Sequence, residues 1–242
     1  MSMRAITFKV LRFDPASDSE PHHQEYALDV PEGTTVLEAL LRIQAEQDGS
    51  LAFRYACRGA VCGSCAMVIN GHVGLACRTQ VHELGTETVI VEPLPNLPVL
   101  KDLVVDVDPF LAKLAAVQPW LQPEEPEPKR EHLVVPDQWD EAEPYTNCIL
   151  CACCQGVCPA AERDLAYLGP AALAAHYRFL ADARDGAAEA RVARVDTEQG
   201  VWGCDMVWNC VEICPRGVPP TQGIGKTRAR IRRAQRRVKR DA

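Results

Sequence analysis

The chain has 242 residues, room for one large domain or two smaller ones with separate cores, and carries 33 acids, 26 Lys and Arg, and 12 cysteines at a formal net charge of −7. Its start, "MSMRAITFKVLRF", lacks a basic segment followed by an apolar run, so it does not read as a secretory signal, and no stretch approaches the roughly 20 apolar residues that span a bilayer. This argues against a disulfide-rich secreted scaffold and an integral membrane protein, and makes metal or cluster ligation the expected use of the cysteines.

The first hundred residues read as α+β. "AITFKVLRF" alternates, with Ile6, Phe8 and Val10 on one face, and "EYALDV" repeats the pattern through Tyr26, Leu28 and Val30. Thr35 and Glu38 have capping-box spacing ahead of a helical run containing Val36, Leu37, Leu40, Leu41 and Ile43 that stops near Gly49. Asn70-Gly71 between two short apolar runs predicts a hairpin, and "ETVIVEP" a closing strand. These elements predict a small mixed sheet crossed by one helix. From Leu100 the character changes: "DPFLAKLAAVQPWL" reads as helix, and "QPEEPEPKREH" as a connector that cannot continue one. Cysteine loops then alternate with Ala/Leu-rich helical segments, "GPAALAAHYRFLADARD" and a basic tail from about Thr221. We place the domain boundary near residue 105, giving domains 1–105 and 106–242.

The cysteines fall in three groups. Cys57, Cys62, Cys65 and the more distant Cys77 follow C-x4-C-x2-C…C, the plant-type spacing for a 2Fe–2S cluster. Small residues between them (Gly59, Ala60, Gly63, Ser64) let the loop wrap two irons and aim backbone N–H groups at sulfur. A zinc site is the alternative, but zinc loops favour paired short Cys units, and only one is present.

Cys148, Cys151, Cys154 and Cys158-Pro159 form the bacterial ferredoxin run C-x2-C-x2-C-x3-C-P. A second run repeats the frame with Cys204, Val207, Cys210, Cys214 and Pro215, so valine stands where a cysteine belongs. In two-cluster ferredoxins the fourth cysteine of each run ligates the other cluster. That rule assigns Cys148, Cys151, Cys154 and Cys214 to a 4Fe–4S cluster, and Cys158, Cys204 and Cys210 to a second centre with one corner unligated at Val207, hence 3Fe–4S. Cys153 is off-frame and reads as a small buried apolar residue. The six histidines form no competing constellation, and neither a catalytic triad nor a nucleotide-binding loop is present. Three one-electron centres without such a site describe an electron wire rather than a substrate-converting subunit.

Residues 226–240 hold nine Lys or Arg and no acid. They read as a docking helix for an acidic partner or anionic headgroups, with a plain solvated helix as the alternative. Nucleic acid is disfavoured because the rest of the chain is acidic and no base-reading motif accompanies the tail.

Through "CRGAVCGSCAMVINGHVGLAC", "PNLPVLKDLVVDVDPF", "NCILCACCQGVCP", "YLGPAALAAHYRFLADARD" and "CDMVWNCVEICPRGVPPT" the chain resembles the iron–sulfur subunits of succinate dehydrogenase and fumarate reductase over nearly its whole length. The resemblance implies an N-terminal β-grasp plant-type ferredoxin domain followed by an all-α bacterial-type two-cluster domain. It implies partners as well: a flavoprotein carrying FAD and the dicarboxylate site, and membrane anchor subunits with a quinone. Electrons would run from FAD through 2Fe–2S and 4Fe–4S to 3Fe–4S and quinone, or the reverse, on the cytoplasmic face of the cell membrane. A free-standing polyferredoxin and a zinc-stabilised binding module are the competing readings. Two departures stand out. Ubiquinone-using members commonly carry a tryptophan a few residues after the first Cys-Pro and a histidine after the second run's first cysteine. Here Arg163 (or Glu162) and Asp205 hold those places, while Pro159 is retained, so the resemblance implies a menaquinone-type or otherwise altered pocket near Pro159, Arg163 and Asp205.

Overall fold

A computed structural model describes residues 3–123 and 129–241 of the chain, the last of these through its backbone alone. Residues 124–128, the acidic centre of the proline-rich connector, lie outside the described residues, as do residues 1, 2 and 242. The chain divides into two compact units, one of Met1–Val107 with Ile149–Gly156 and one of Asp108–Cys148 with Val157–Ala242.

In the first unit, β1 (Met3–Arg12) and β2 (His22–Pro31) pair antiparallel, and β1 also pairs in parallel with β5 (Thr88–Glu92), Phe8 opposite Val89. Strands β3 (Ala66–Ile69) and β4 (His72–Leu75) make the expected hairpin, with φ of 48° at Asn70 and 78° at Gly71, both positive as a primed turn requires. The sheet order is β2-β1-β5-β3-β4. A parallel β1–β5 pair cannot be closed by a tight turn. The crossover contains α1 (Val36–Glu46), the cysteine loop and the β3–β4 hairpin. Ile6, Phe8 and Val10 are buried with Tyr26, Leu28, Val30, Val89 and Val91, and α1 buries Val36, Leu37, Leu40 and Ile43. The helix starts where its cap places it: Thr35 Oγ1 accepts from the Glu38 N–H at 3.1 Å.

A second, two-stranded sheet, β6 (Val99–Lys101) with β7 (Val104–Val105), was not legible in the sequence, since it is short and turns on Asp102 at φ 47°. It serves the cysteine loop. The buried Asp102 carboxylate accepts from Arg12 Nε at 2.9 Å and from the Ala52 N–H at 2.9 Å, and Arg54 donates to the Val105 carbonyl at 3.0 Å. Arg12 in turn donates to Gln24, Tyr26, Ser50 and Asp48. One buried cation thus ties the end of β1 to the chain entering Cys57.

The segment Ile149–Gly156, with α4 (Cys153–Gly156), groups with this unit. Asn96 donates to the Gln155 carbonyl at 2.9 Å, and Gly63 meets Cys151 so closely that an added Cβ would lie 2.7 Å from the Cys151 Cα. At φ 74° Gly63 already needs glycine, so close approach and backbone conformation demand the same residue.

The second unit is helical: α2 (Asp108–Ala116), α3 (Pro136–Thr146), α5 (Pro159–Arg163), α6 (Pro170–Leu180), α7 (Ala188–Val195), α8 (Asn209–Glu212) and α9 (Pro220–Asp241). Helix α6 buries nearly its whole circumference against α9, α3, α2 and α7, and its small residues Ala171, Ala172 and Ala174 allow that crowding. The sequence reading assigned no element to α3, whose polar surface and Pro144 hide its periodicity. The fold class is α+β, a mixed-sheet ferredoxin-like unit and a helical unit. Along α9, Ile231 is buried and every residue from 232 to 240 is exposed, so the basic helix runs on past the core. Among the described residues no helix is long and apolar enough to cross a membrane.

Candidate metal centres

The first cysteine loop lies between Leu51 and β3 and has little regular structure, as a shell of backbone around an inorganic core must. Arg58 and Ala60 adopt φ of 56° and 57°, and this alternation turns successive N–H groups inward. Gly59, Val61 and Cys62 donate to Cys57 Sγ at 3.3–3.4 Å, Ala60 donates to Cys77 Sγ at 3.3 Å, and Cys57 donates to Cys62 Sγ at 3.5 Å. Donors from the Cys57 and Ser64 backbone and the Ser64 hydroxyl bring the Cys62 thiol down to about 6. Cys65 is buried, and desolvation pushes it up to about 12. N–H groups aimed in this way at sulfur suit an anionic cluster, which such donors stabilise in its more reduced state.

In the second cysteine run, Cys151 and Cys154 belong to the first unit and Cys148 to the second. Leu150 and Ala152, either side of Cys151, have φ of 54° and 61°. Cys153 is fully buried, in keeping with its off-frame place, and its side-chain hydrogen bond leads the causes that hold Cys151 down to about 7. In the helical unit Cys148 and Cys214 pack beside Tyr145, Tyr177 and Val218, and the Val218 N–H donates to Cys214 Sγ at 3.3 Å. The buried Tyr145 hydroxyl has no hydrogen-bond partner among the described residues.

The third constellation lies wholly within the helical unit. Cys158, Cys204 and Cys210 line one small cavity together with Val207, Tyr167 and Thr221. Cys158 is the N-cap of α5, with Pro159 at the first helical position, where its missing N–H is harmless. Met206 and Trp208, either side of Val207, have φ of 58° and 68°, and Met206 donates its N–H to Cys204 Sγ at 3.3 Å. Cys210 Sγ lies 3.0 Å from the Thr221 hydroxyl. Burial pushes the Cys158 and Cys210 thiols up, with the neighbouring sulfurs adding to the effect. The Tyr167 hydroxyl is buried beside the Cys204 sulfur and makes no regular hydrogen bond among the described residues. A sulfur-rich cluster fits this donor set: three thiols converge, and the buried Tyr167 hydroxyl stands beside the Cys204 sulfur.

Pro159 and Asp205 line the same cavity, and Arg163 pairs with Asp205 through Nη1–Oδ2 at 3.0 Å and Nη2–Oδ1 at 2.9 Å. Arg163 and Asp205, far apart in sequence, therefore meet each other. Sequence reasoning missed Asp102, Arg12 and Tyr167 as groups around the centres. A buried acid and a buried phenol carry no spacing signal that separates them from surface residues.

The fold and these thiol constellations define an iron–sulfur electron-transfer protein. The family profile of a 2Fe-2S iron-sulfur cluster binding domain matches residues 7–112, and that of a 4Fe-4S dicluster domain matches residues 144–218. The chain is 38% identical to the mitochondrial succinate dehydrogenase [ubiquinone] iron-sulfur subunit of Candida glabrata, covering 94% of this chain and 92% of that one. It is equally 38% identical to the fumarate reductase iron-sulfur subunit of Mycobacterium tuberculosis, over 92% and 91%. Its structure is similar to a chain of the Mycobacterium smegmatis Sdh1 complex in the apo form, with a TM-score of 0.87 at 28% identity over 95% and 96% of the two chains. The chain belongs to the family of succinate dehydrogenase and fumarate reductase iron–sulfur subunits.

Proposed function

We propose that this chain is the electron-transfer subunit of a succinate:quinone oxidoreductase, with a flavoprotein partner bearing FAD and membrane anchor subunits beside a quinone. The clusters, when bound, supply one-electron steps between the flavin and the quinone. Cys57, Cys62, Cys65 and Cys77 would hold 2Fe–2S, and Cys148, Cys151, Cys154 and Cys214 would hold 4Fe–4S. Cys158, Cys204 and Cys210 would hold 3Fe–4S, with Pro159, Arg163 and Asp205 toward the quinone. These centres divide between domains 1–105 and 106–242. The chain would sit peripherally on the cytoplasmic face of the cell membrane, held by the anchor.

The observation that carries this reading is the cavity shared by Cys158, Cys204, Cys210 and Val207, three thiols and an apolar side chain where a fourth thiol would complete a cubane. The chain's own contribution is to present those thiolates and to shape their surroundings with the Met206 N–H and the Thr221 hydroxyl. A second direction, fumarate reduction, is favoured by the Mycobacterium tuberculosis relative, as similar as the dehydrogenase subunit. Electron paramagnetic resonance of the purified, air-oxidised complex is the decisive test: one oxidised 3Fe–4S signal per chain is expected. Two 4Fe–4S signals on reduction with none on oxidation would overturn the assignment. Comparing succinate oxidation with fumarate reduction by the same complex assigns the direction.

A further inference from the structure

Two cysteines of the third constellation arrive on separate stretches of chain. Cys158 caps α5, and α5 ends at Arg163. Cys204 begins the loop that turns through the left-handed residues Met206 and Trp208, and its next residue is Asp205. The bidentate Arg163–Asp205 contact joins these stretches across 42 positions of sequence. It fixes both charges in plane, as a fork-to-fork pair does and a single contact does not. A further cation stands behind the loop, where Arg228 donates to the Val201 carbonyl at 2.8 Å and the Cys204 carbonyl at 2.7 Å. Arg228 therefore stands near Asp205 as well, while Arg163 is the cation bonded to its carboxylate. The pair lies partly in solvent, with Arg163 about 63% and Asp205 about 35% exposed, so it contributes little to stability. Asp205 nonetheless lines the same pocket as Cys158, Cys204 and Cys210, so the pair stands at the wall of the thiol site.

We propose that Arg163 and Asp205 are positioning residues that set the reduction potential of the centre held by Cys158, Cys204 and Cys210, each cancelling the field of the other at the cavity mouth. The inference rests on the proposed ligand set and goes beyond it. An unpaired Asp205 carboxylate disfavours adding an electron to a nearby anionic cluster, and an unpaired Arg163 favours it, because the potential follows the local charge. A pair that merely clamped the two stretches together would behave otherwise, since removing either half would loosen the same contact.

The test is a redox titration of the assembled complex, followed by the oxidised 3Fe–4S resonance, in the wild type, Arg163→Gln, Asp205→Asn and the double variant. The wild-type resonance tests the ligand assignment by itself, and its absence would overturn that assignment whatever the variants do. Given that resonance, Arg163→Gln is expected to lower the midpoint and Asp205→Asn to raise it. At the wild-type midpoint the ratio of reduced to oxidised centre should fall or rise about three- to tenfold, the scale of one unit charge acting through a partly solvated medium. The double variant, with no net change in charge, should return close to wild type. Shifts of the same sign in both single variants, no shift in either, or loss of the resonance in any variant would each overturn the proposal.

Discussion

Replacing Tyr167 by Phe removes one oxygen from the wall of the three-cysteine cavity and leaves the ring. The phenol is 1% exposed, its hydroxyl lies beside the Cys204 sulfur with no regular hydrogen bond among the described residues, and burial, with the Cys204 and Cys158 sulfurs, pushes its pKa well above the usual range. It is therefore a protonated donor at every pH the protein meets. A buried hydroxyl left unbonded costs about 1–3 kcal/mol, and one donating to a charged acceptor gains about 1.5–3 kcal/mol. If reduction strengthens a bond from Tyr167 to the cluster by about 1.4 kcal/mol, Phe should lower the midpoint of the 3Fe–4S centre by ~59 mV, the tenfold step for one electron. A redox titration of the assembled complex, read by the oxidised resonance, measures that shift, with thermal unfolding of the same preparations alongside. An unchanged midpoint together with a gain of about 1–3 kcal/mol in stability would refute the reasoning, because it would mark the hydroxyl as an orphan in the loaded protein too.

Val207→Cys is expected to convert the 3Fe–4S centre toward 4Fe–4S, seen as loss of the oxidised resonance, appearance of a reduced one and a lower midpoint; a 3Fe–4S signal at full intensity would show that position 207 is not the open corner. His176→Gln should flatten the acid side of the stability profile. His176 is buried, donates from Nε2 to the Arg191 carbonyl at 3.1 Å, and is held down to about 4, chiefly by burial. Its neutral form is therefore the folded one. Stability is complete above the unfolded value near 6.5 and falls as pH drops from there to about 4, by about 3 kcal/mol in total, and the difference between parent and variant in urea unfolding at pH 7.5 and pH 5 measures it. Arg191→Met should destabilise the helical unit by about 3–5 kcal/mol, measured by denaturant, because it strands Asp185 without its cation. Both side chains are essentially unexposed, and Arg191 also serves the carbonyls of Gln118 at 2.9 Å and Trp120 at 2.6 Å.

The sequence was most legible where periodicity and local chemistry act over a few residues. Ile6, Phe8 and Val10 face the core as their alternation required, Thr35 caps α1, and Asn70-Gly71 turns the β3–β4 hairpin. The cysteine frames were legible for the same reason, since a ligand loop is a local object with fixed spacing. What remained hidden depends on partners far away in sequence. Asp102 looks like a surface acid in a short loop, and only Arg12, 90 positions earlier, makes it a buried anchor for the first cysteine loop. Arg163 and Asp205 are each unremarkable alone. Tyr167 stands outside any cysteine motif, and nothing in its spacing says that its hydroxyl meets sulfur. Helix α3 was lost because Pro144 and a polar face mask its period, while its buried contacts, Ala142 and Tyr145, are too few to show one.

Backbone conformation bears on why a cysteine is missing at position 207. In the intact run, Cys151 stands between Leu150 and Ala152, both left-handed at φ 54° and 61°. In the altered run, Val207 stands between Met206 and Trp208, left-handed at φ 58° and 68°. Left-handed conformation is uncommon for residues other than glycine, Asn and Asp, and for a leucine, a methionine or a tryptophan it must be held by the surrounding structure. A loop that had merely decayed after losing a ligand would have no reason to keep two such residues in the same register. The second run has therefore retained the backbone that presents a central ligand and changed only the side chain at its apex. Valine is branched and apolar there, unable to ligate iron, and it lines the cavity with the three thiols while staying half exposed. The substitution reads as a change in the centre rather than in the fold. The same loop would offer the proposed centre one thiolate fewer than the intact run offers, and cluster potential follows cluster type and ligation as well as hydrogen bonding and exposure.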